Sequence, residues 1–96
     1  MFDLNICMQI QSDQDFPKLR IQFKEWRKRF PMFTHDVTSI ERIVEEHIKQ
    51  HSITLVKYRQ THSKSYLDQA QQEINTINQV IATVEKIELM AMLSQG

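Results

Sequence analysis

The sequence has few residues that break or crosslink a chain. Among its 96 residues are one glycine, two prolines and one cysteine, and no proline follows Pro31. So few turn-forming residues favour long helices over a β-rich fold, which needs many tight turns. Cys7 stands alone and cannot form an internal disulfide, which indicates a passive thiol in a reducing, intracellular and cytoplasmic setting.

Long apolar runs and an excess of one charge are also missing. No run is long enough to predict a membrane span, and the first residues lack the basic and apolar blocks of a secretory signal. Twelve basic residues balance twelve acidic ones, so no net field attracts nucleic acid or membranes. No phosphate-binding loop or catalytic cluster is evident, so we expect one small domain (1–96) that is not an enzyme and has no cofactor.

Apolar and polar residues alternate strictly over residues 2–10, from Phe2 to Ile10. This period of two predicts a strand with one apolar face. Because no second strand is evident, segment 1–11 would pair with its copy or with a partner's sheet edge. The alternative is a tail that lies on the helices.

Residues 17–30 predict a helix with an aromatic stripe and a basic face. The stripe consists of Leu19, Phe23, Trp26 and Phe30. The basic face consists of Lys18, Arg20, Lys24, Arg27, Lys28 and Arg29. We interpret the stripe as core and the basic face as solvated or paired with acids of a later helix. The alternative is docking to a membrane, to a calmodulin-like groove or to nucleic acid.

Two further helices are expected. Thr38 and Glu41 have the spacing of a capping box, which predicts a second helix over 38–60. A third helix over 65–94 has heptad-like apolar spacing. The stretch at 60–65 is polar, and the apolar stripes of the second and third helices point in different directions. Both features favour a helical hairpin, and one long bent helix is the alternative. The expected fold class is mainly α, a three-helix, helical-hairpin or coiled-coil architecture.

The seam of the third helix is the strongest pattern in the sequence. It predicts partner-binding residues at Leu67, Ala70, Ile74, Ile77, Ile81, Val84, Ile87 and Ala91, and Glu88 shares its frame. A chain this short presents more apolar stripe than it can cover, so we predict a protein-interaction or oligomerisation module. Such an adaptor or scaffold would form a homo-oligomer or join a helical complex. Leu89, Met90, Met92 and Leu93 indicate either an adaptable docking surface or the end of the seam.

His47 and His51 are four residues apart on the second helix and are the only weak candidates for metal binding. Two ligands are too few for a structural site, so no metal is expected, and pH-sensitive packing is the milder role. A nucleic-acid-binding regulator is the alternative function. A strand followed by helices resembles ribbon-helix-helix proteins in outline. However, the polar side of this strand lacks arginine and lysine for reaching bases or phosphates.

Overall fold

The structure, a computed structural model, describes residues 9–94. In this range the chain forms no strand and has four helices: α1 (Phe16–Arg29), α2 (Thr34–Thr61), α3 (Lys64–Ala82) and α4 (Val84–Ser94). Single 3₁₀ turns at Asp13–Asp15 and Pro31–Phe33 precede α1 and α2. The mainly-α helical-hairpin prediction is confirmed. Most of the predicted strand (2–10), and Cys7 with it, lies in residues 1–8, outside the described residues. Gln9 and Ile10, the part of the predicted strand that the structure describes, are not in a strand.

The hairpin turns at His62. This residue has a left-handed φ of 56°, and its N–H donates to the Tyr58 carbonyl at 2.6 Å, which closes the last turn of α2. A left-handed residue at this position commonly ends a helix, although glycine or asparagine usually occupies it. The break therefore lies within the predicted 60–65 stretch, and one bent helix over 38–94 is wrong.

The second helix begins at Thr34, not at Thr38, so the capping-box prediction is wrong. The 3₁₀ turn after Pro31 leads the chain straight into α2, and the Thr34 hydroxyl donates to the Pro31 carbonyl at 3.0 Å. Asp36 lies in the first turn, where a carboxylate favours the positive helix end. Val37 is fully buried there, so core packing extends the helix past the local capping signal.

The predicted third helix over 65–94 is two helices separated at Thr83. The Thr83 N–H and hydroxyl both donate to the Val80 carbonyl, at 3.1 and 2.6 Å, and the Lys86 N–H donates to the Thr83 carbonyl at 3.1 Å. Hydrogen bonds between residues three apart tighten the backbone and interrupt the α-helical ladder. The apolar seam nevertheless crosses the break, because Ile81 and Val84 are both buried.

The core runs along one side of an elongated molecule. The radius of gyration is 15.3 Å, against about 12.5 Å expected for a compact chain of this length. The 14-residue α1 lies against only part of the 28-residue α2, so the far half of the hairpin is two helices thick. The core cluster comprises Ile10, Phe16, Leu19, Phe23, Trp26, Phe30, Val37, Val44, Ile48, Ile74, Ile77, Ile81, Val84 and Ile87.

Candidate functional site

Most residues of the basic face of α1 form ion pairs with carboxylates. The ion pairs are Arg20–Glu45, Arg27–Glu41, Lys28–Glu25 and Arg29–Glu88. The first pair is bidentate, because Nε and Nη2 of Arg20 donate to the two Glu45 oxygens at 2.8 and 3.1 Å. Only Glu88 belongs to the predicted third helix. Lys18 and Lys24 make no ion pair with a described residue, and they leave a small cationic surface.

The aromatic stripe of α1 belongs to the core. Phe23 and Trp26 are 1% and 2% exposed, and their rings meet edge to face with centroids 5.1 Å apart. Leu19 and Phe30 are buried beside them. Docking of α1 to a membrane or a calmodulin-like groove would need these rings at the surface. In this fold they instead hold α1 against the hairpin.

The predicted partner-binding seam is largely used within the chain. Ala70, Ile74, Ile77, Ile81, Val84 and Ile87 are buried, and Ala91 packs against the same core. Leu67, near the hairpin turn, is the exception, because its side chain is 41% exposed. The partner-binding role of these residues stays a prediction, and for the buried ones it would require the bundle to open.

His47 and His51 lie on the same side of α2 but have different surroundings. His47 Nδ1 lies 2.7 Å from Oε2 of Glu73 on α3. The ring of His51 is buried and packs edge-on against Phe16, with centroids 5.3 Å apart. Within residues 9–94 no three His, Cys, Asp or Glu side chains form a group suited to a metal ion.

Burial gives His51 an unusual electrostatic setting. Desolvation lowers the pKa of its imidazole, while the negative charges of Asp13 and Glu73 act in the opposite direction. Its Nδ1 is buried and has no hydrogen-bond partner in the part of the chain that the structure describes. The neutral ring is therefore favoured at neutral pH, since charging it would leave a desolvated cation.

An open groove of about 250 Å³ lies beside His51, at the part of the hairpin nearest the 3₁₀ turn before α1. Its apolar lining comes from Leu55, Leu67, Ala70 and Ile74, and Asp13 contributes a carboxylate. One carboxylate and one neutral imidazole provide neither a metal-ligand set nor an activated nucleophile. The groove is an apolar depression with one carboxylate at its edge.

The clearest unpartnered surface is on α4. Ile87 and Ala91 point into the core, yet the opposite side of the last part of the helix, after Glu88, is also apolar. We define the α4 outer surface as three exposed apolar residues of this helix together with the methionine of the adjacent Pro31–Phe33 turn: Met32, Leu89, Met92 and Leu93. Leu93 and Met32 are 82% and 81% exposed. With 11 residues α4 is short, and no described helix is both long and apolar enough to cross a membrane.

Two polar side chains organise contacts that sequence reasoning did not assign. Asn78 on α3 accepts the Ile10 N–H at 2.8 Å and donates to the Ile10 carbonyl at 2.9 Å. Glu88 is buried on α4, and its Oε1 accepts from Arg29 at 2.9 Å, while Oε2 has no hydrogen-bond partner among the described residues. From the sequence alone, a carboxylate within an apolar seam could predict a buried ion pair. Nothing in the sequence distinguishes Asn78 from the other polar residues of the helix.

Comparison with known proteins does not extend this description. No protein-family model, no curated protein and no solved structure matches the chain. Arguments about function therefore rest on the surfaces described above, and foremost on the α4 outer surface.

Proposed function

We propose that this chain is a non-enzymatic protein-interaction module, an adaptor or scaffold subunit that joins a helical assembly through the α4 outer surface. A single observation carries the proposal. From Leu89 to Leu93 the helix is apolar around its circumference, but the core covers only the side that holds Ile87 and Ala91. Helices that are apolar all round are normally buried on all sides.

The size of the surface supports a protein partner. Its four residues together expose the area of about two and a half whole residues, and burying one leucine or methionine contributes roughly 1.5–3 kcal/mol. The surface thus offers about 4–7 kcal/mol, while association costs about 4–15 kcal/mol. A partner must therefore contribute apolar area of its own, as a helix face does.

Methionine and leucine side chains suit such a contact. Two of the four residues of the surface, Met32 and Met92, carry unbranched thioether side chains that adapt to differently shaped partners. The lone cysteine of the chain is compatible with a reducing, cytoplasmic setting for this assembly.

The basic face of α1 supports the alternative function less well. Nucleic-acid binding needs free guanidinium and ammonium groups, but carboxylates neutralise Arg20, Arg27 and Arg29. On the basic face of α1, only Lys18 and Lys24 have no ion-pair partner among residues 9–94, and the net charge of the chain is zero. Docking of α1 to a membrane or a calmodulin-like groove conflicts with the burial of Phe23 and Trp26.

Site-specific photocrosslinking in native cells tests the proposal. A photoreactive residue at Leu93 should give defined protein adducts, because that side chain projects from the α4 outer surface. The matched control carries the same group at Gln72, an exposed polar position on α3. If position 93 gives no more adducts than position 72, the α4 outer surface is not a protein-interaction site.

A further inference from the structure

We propose that the groove beside His51 binds an amphipathic helix of a partner protein, with acidic residues of that helix facing the hairpin turn. The bound helix would continue the line of α1 along the far half of the hairpin. The groove lies at the start of α1, whereas the α4 outer surface lies near the end of α1, where Arg29 bonds Glu88. This site is therefore separate from the one in the proposed function.

The groove is uncovered because α1 spans only part of α2. Arg27, near the end of α1, pairs with Glu41 on α2. The ring of Phe16, at the start of α1, meets His51. The two helices are thus antiparallel, and the part of α2 beyond His51, up to Thr61, has no cover from α1.

The lining of the groove suits a helix rather than a small molecule. Leu67, Ala70 and Ile74 follow one another at spacings of three and four and form an apolar stripe of α3. Leu55 lines the groove from α2, and the side chain of Leu67 is still 41% exposed. The open volume of about 250 Å³ is below the roughly 300–1,000 Å³ of small-molecule pockets. Leucine side chains at i, i+3 and i+7 of a docked helix fit such a stripe.

Two cations lie at the turn end of the groove. Arg59 is 18 residues after Glu41, about five turns of 3.6 residues, so both lie on the side of α2 that faces α1. Lys64 is seven residues, about two turns, before Gln71, which lines the groove. Both cations are exposed and form none of the ion pairs within residues 9–94. Because residues 47–67 contain no Asp or Glu, the complementary partner is acidic.

Asp13 gives the partner helix a direction. Its carboxylate lines the groove at the end near α1, where acidic residues of a partner would meet a like charge. At the other end, Arg59 and Lys64 attract them. The acidic residues of the bound helix therefore face the turn at His62, and its apolar stripe lies against Leu67.

Titration of the purified full chain with two stapled model helices of about 15 residues tests the charge preference. Both helices carry leucine at i, i+3 and i+7, and at one end one has flanking glutamates and the other flanking lysines. Amide shifts in two-dimensional NMR spectra should change first at Leu55, Leu67 and Gln71. The dissociation constant, measured up to about 1 mM, should be at least about tenfold lower for the glutamate helix.

Charge reversal identifies the cations. R59E/K64E should reverse the preference, so that the lysine helix binds at least about tenfold more tightly than the glutamate helix. The matched control K57E/K86E changes the net charge equally and should keep the wild-type preference. Lys57 lies about 160° from Arg59 around α2, and Lys86 is on α4. Far-UV circular dichroism and Trp26 fluorescence establish that each variant keeps its fold.

A nitroxide on the charged end of the glutamate helix tests the direction. It should broaden the Lys64 amide signal more than the Asp13 signal, and the opposite pattern overturns the proposed placement of the acidic residues. Equal affinity for the two model helices overturns the acidic partner. An equal effect of K57E/K86E and R59E/K64E overturns the site.

Other occupants give distinct results. If the chain sediments with phosphatidylserine vesicles but does not respond to the glutamate helix, the cations serve a membrane surface and the proposal is wrong. If nuclear Overhauser contacts in the free chain join residues 1–8 to Leu67, the chain fills its own groove and the proposal is again wrong. The photoreactive residue at position 93 tests the α4 outer surface separately, so either proposal can fail alone.

Discussion

Asn78 positions the segment before α1 by imitating a strand partner. Its amide oxygen and nitrogen bond the N–H and carbonyl of the same residue, Ile10, at 2.8 and 2.9 Å. A neighbouring β-strand would satisfy an extended backbone in the same way. The pair of hydrogen bonds lets the buried Ile10 side chain join the core without leaving its backbone groups unpaired.

Replacing Asn78 with alanine should lower the free energy of unfolding by about 1–3 kcal/mol, because both backbone groups of Ile10 lose their partner. Urea denaturation measures the loss, and faster amide exchange at Ile10 locates it. Asn75→Ala is the control: Asn75 is exposed on the same helix and bonds only Gln71 among the described residues. If Ile10 exchange is unchanged in Asn78→Ala, the side chain does not hold the segment.

His51 makes stability depend on pH in a defined direction. Burial lowers the pKa of its imidazole in the folded chain, against 6.5 in the unfolded chain, and the charged groups facing it are Asp13 and Glu73. The unfolded state therefore binds more protons as the pH falls below 6.5. Its contribution to stability is complete above that pH and is lost as the pH falls through the lowered folded-state pKa.

His51→Leu should remove this dependence. The difference in unfolding free energy between wild type and variant should be constant above pH 7 and should change by at most about 1.4 kcal/mol per pH unit below 6.5, the limit for one proton. Chemical denaturation from pH 5 to pH 8 measures it. A pH-independent difference for His51→Leu would show that His51 does not titrate differently on folding.

At the scale of elements, the hairpin depends on one residue in a costly conformation. A left-handed backbone costs a residue other than glycine roughly 1–2 kcal/mol, and His62 has this conformation with its ring packed edge-on against Tyr58. The turn persists because the helices on both sides of it are packed together.

His62→Gly should raise the free energy of unfolding by about 0.5–1 kcal/mol, since relief of the strain exceeds the loss of the Tyr58 contact and the added freedom of the unfolded chain. Thermal and urea denaturation measure the gain. Ser63→Gly is the matched control and should be slightly destabilising, because Ser63 has an ordinary extended backbone. Destabilisation by His62→Gly would mean that the histidine ring, not the backbone, is what matters at the turn.

The limits of sequence reasoning are clearest at the ends of the helices. The break near His62 was predictable, because two stripes of different direction cannot share one straight helix. The start of α2 was not predictable, since the burial of Val37 depends on tertiary packing and outweighs the local spacing of Thr38 and Glu41. The break at Thr83 was not predictable either, because the apolar spacing of the sequence continues through it.

The same limit applies to the candidate site. The apolar excess of residues 89–93 predicts a docking surface or a seam end, and Leu89, Met92 and Leu93 lie at the surface while Ala91 packs against the core. Which carboxylates neutralise the basic face could not be predicted, because Glu41 and Glu45 meet Arg27 and Arg20 only when α1 folds back along α2. Tertiary arrangement, not local pattern, decides such pairs.

At the scale of the whole molecule, ion pairs join α1 to its neighbouring helices, and the two most exposed apolar side chains, Met32 and Leu93, lie at the α4 end. The molecule extends 55 × 22 × 16 Å, a shape in which helices cover one another only partly. Ion pairs tie α1 to α2 and to α4, whereas the α4 outer surface has no counterpart within residues 9–94. Association through that surface should follow the physics of apolar burial.

The salt dependence of binding distinguishes association through the α4 outer surface from binding to nucleic acid. Raising sodium chloride in a cell extract from about 0.1 to about 0.5 M should leave the yield of protein adducts at position 93 within about threefold of its starting value, because screening acts on charges and Leu89 and Leu93 carry none. Binding of the basic face to phosphates would instead weaken steeply, with counterion release at each neutralised phosphate. Photocrosslinking from position 93 in the extract, and fluorescence titration of the chain with a labelled duplex, measure the two dependences. A loss of adducts of more than about tenfold in high salt would place charged residues, not Leu89 and Leu93, at the contact.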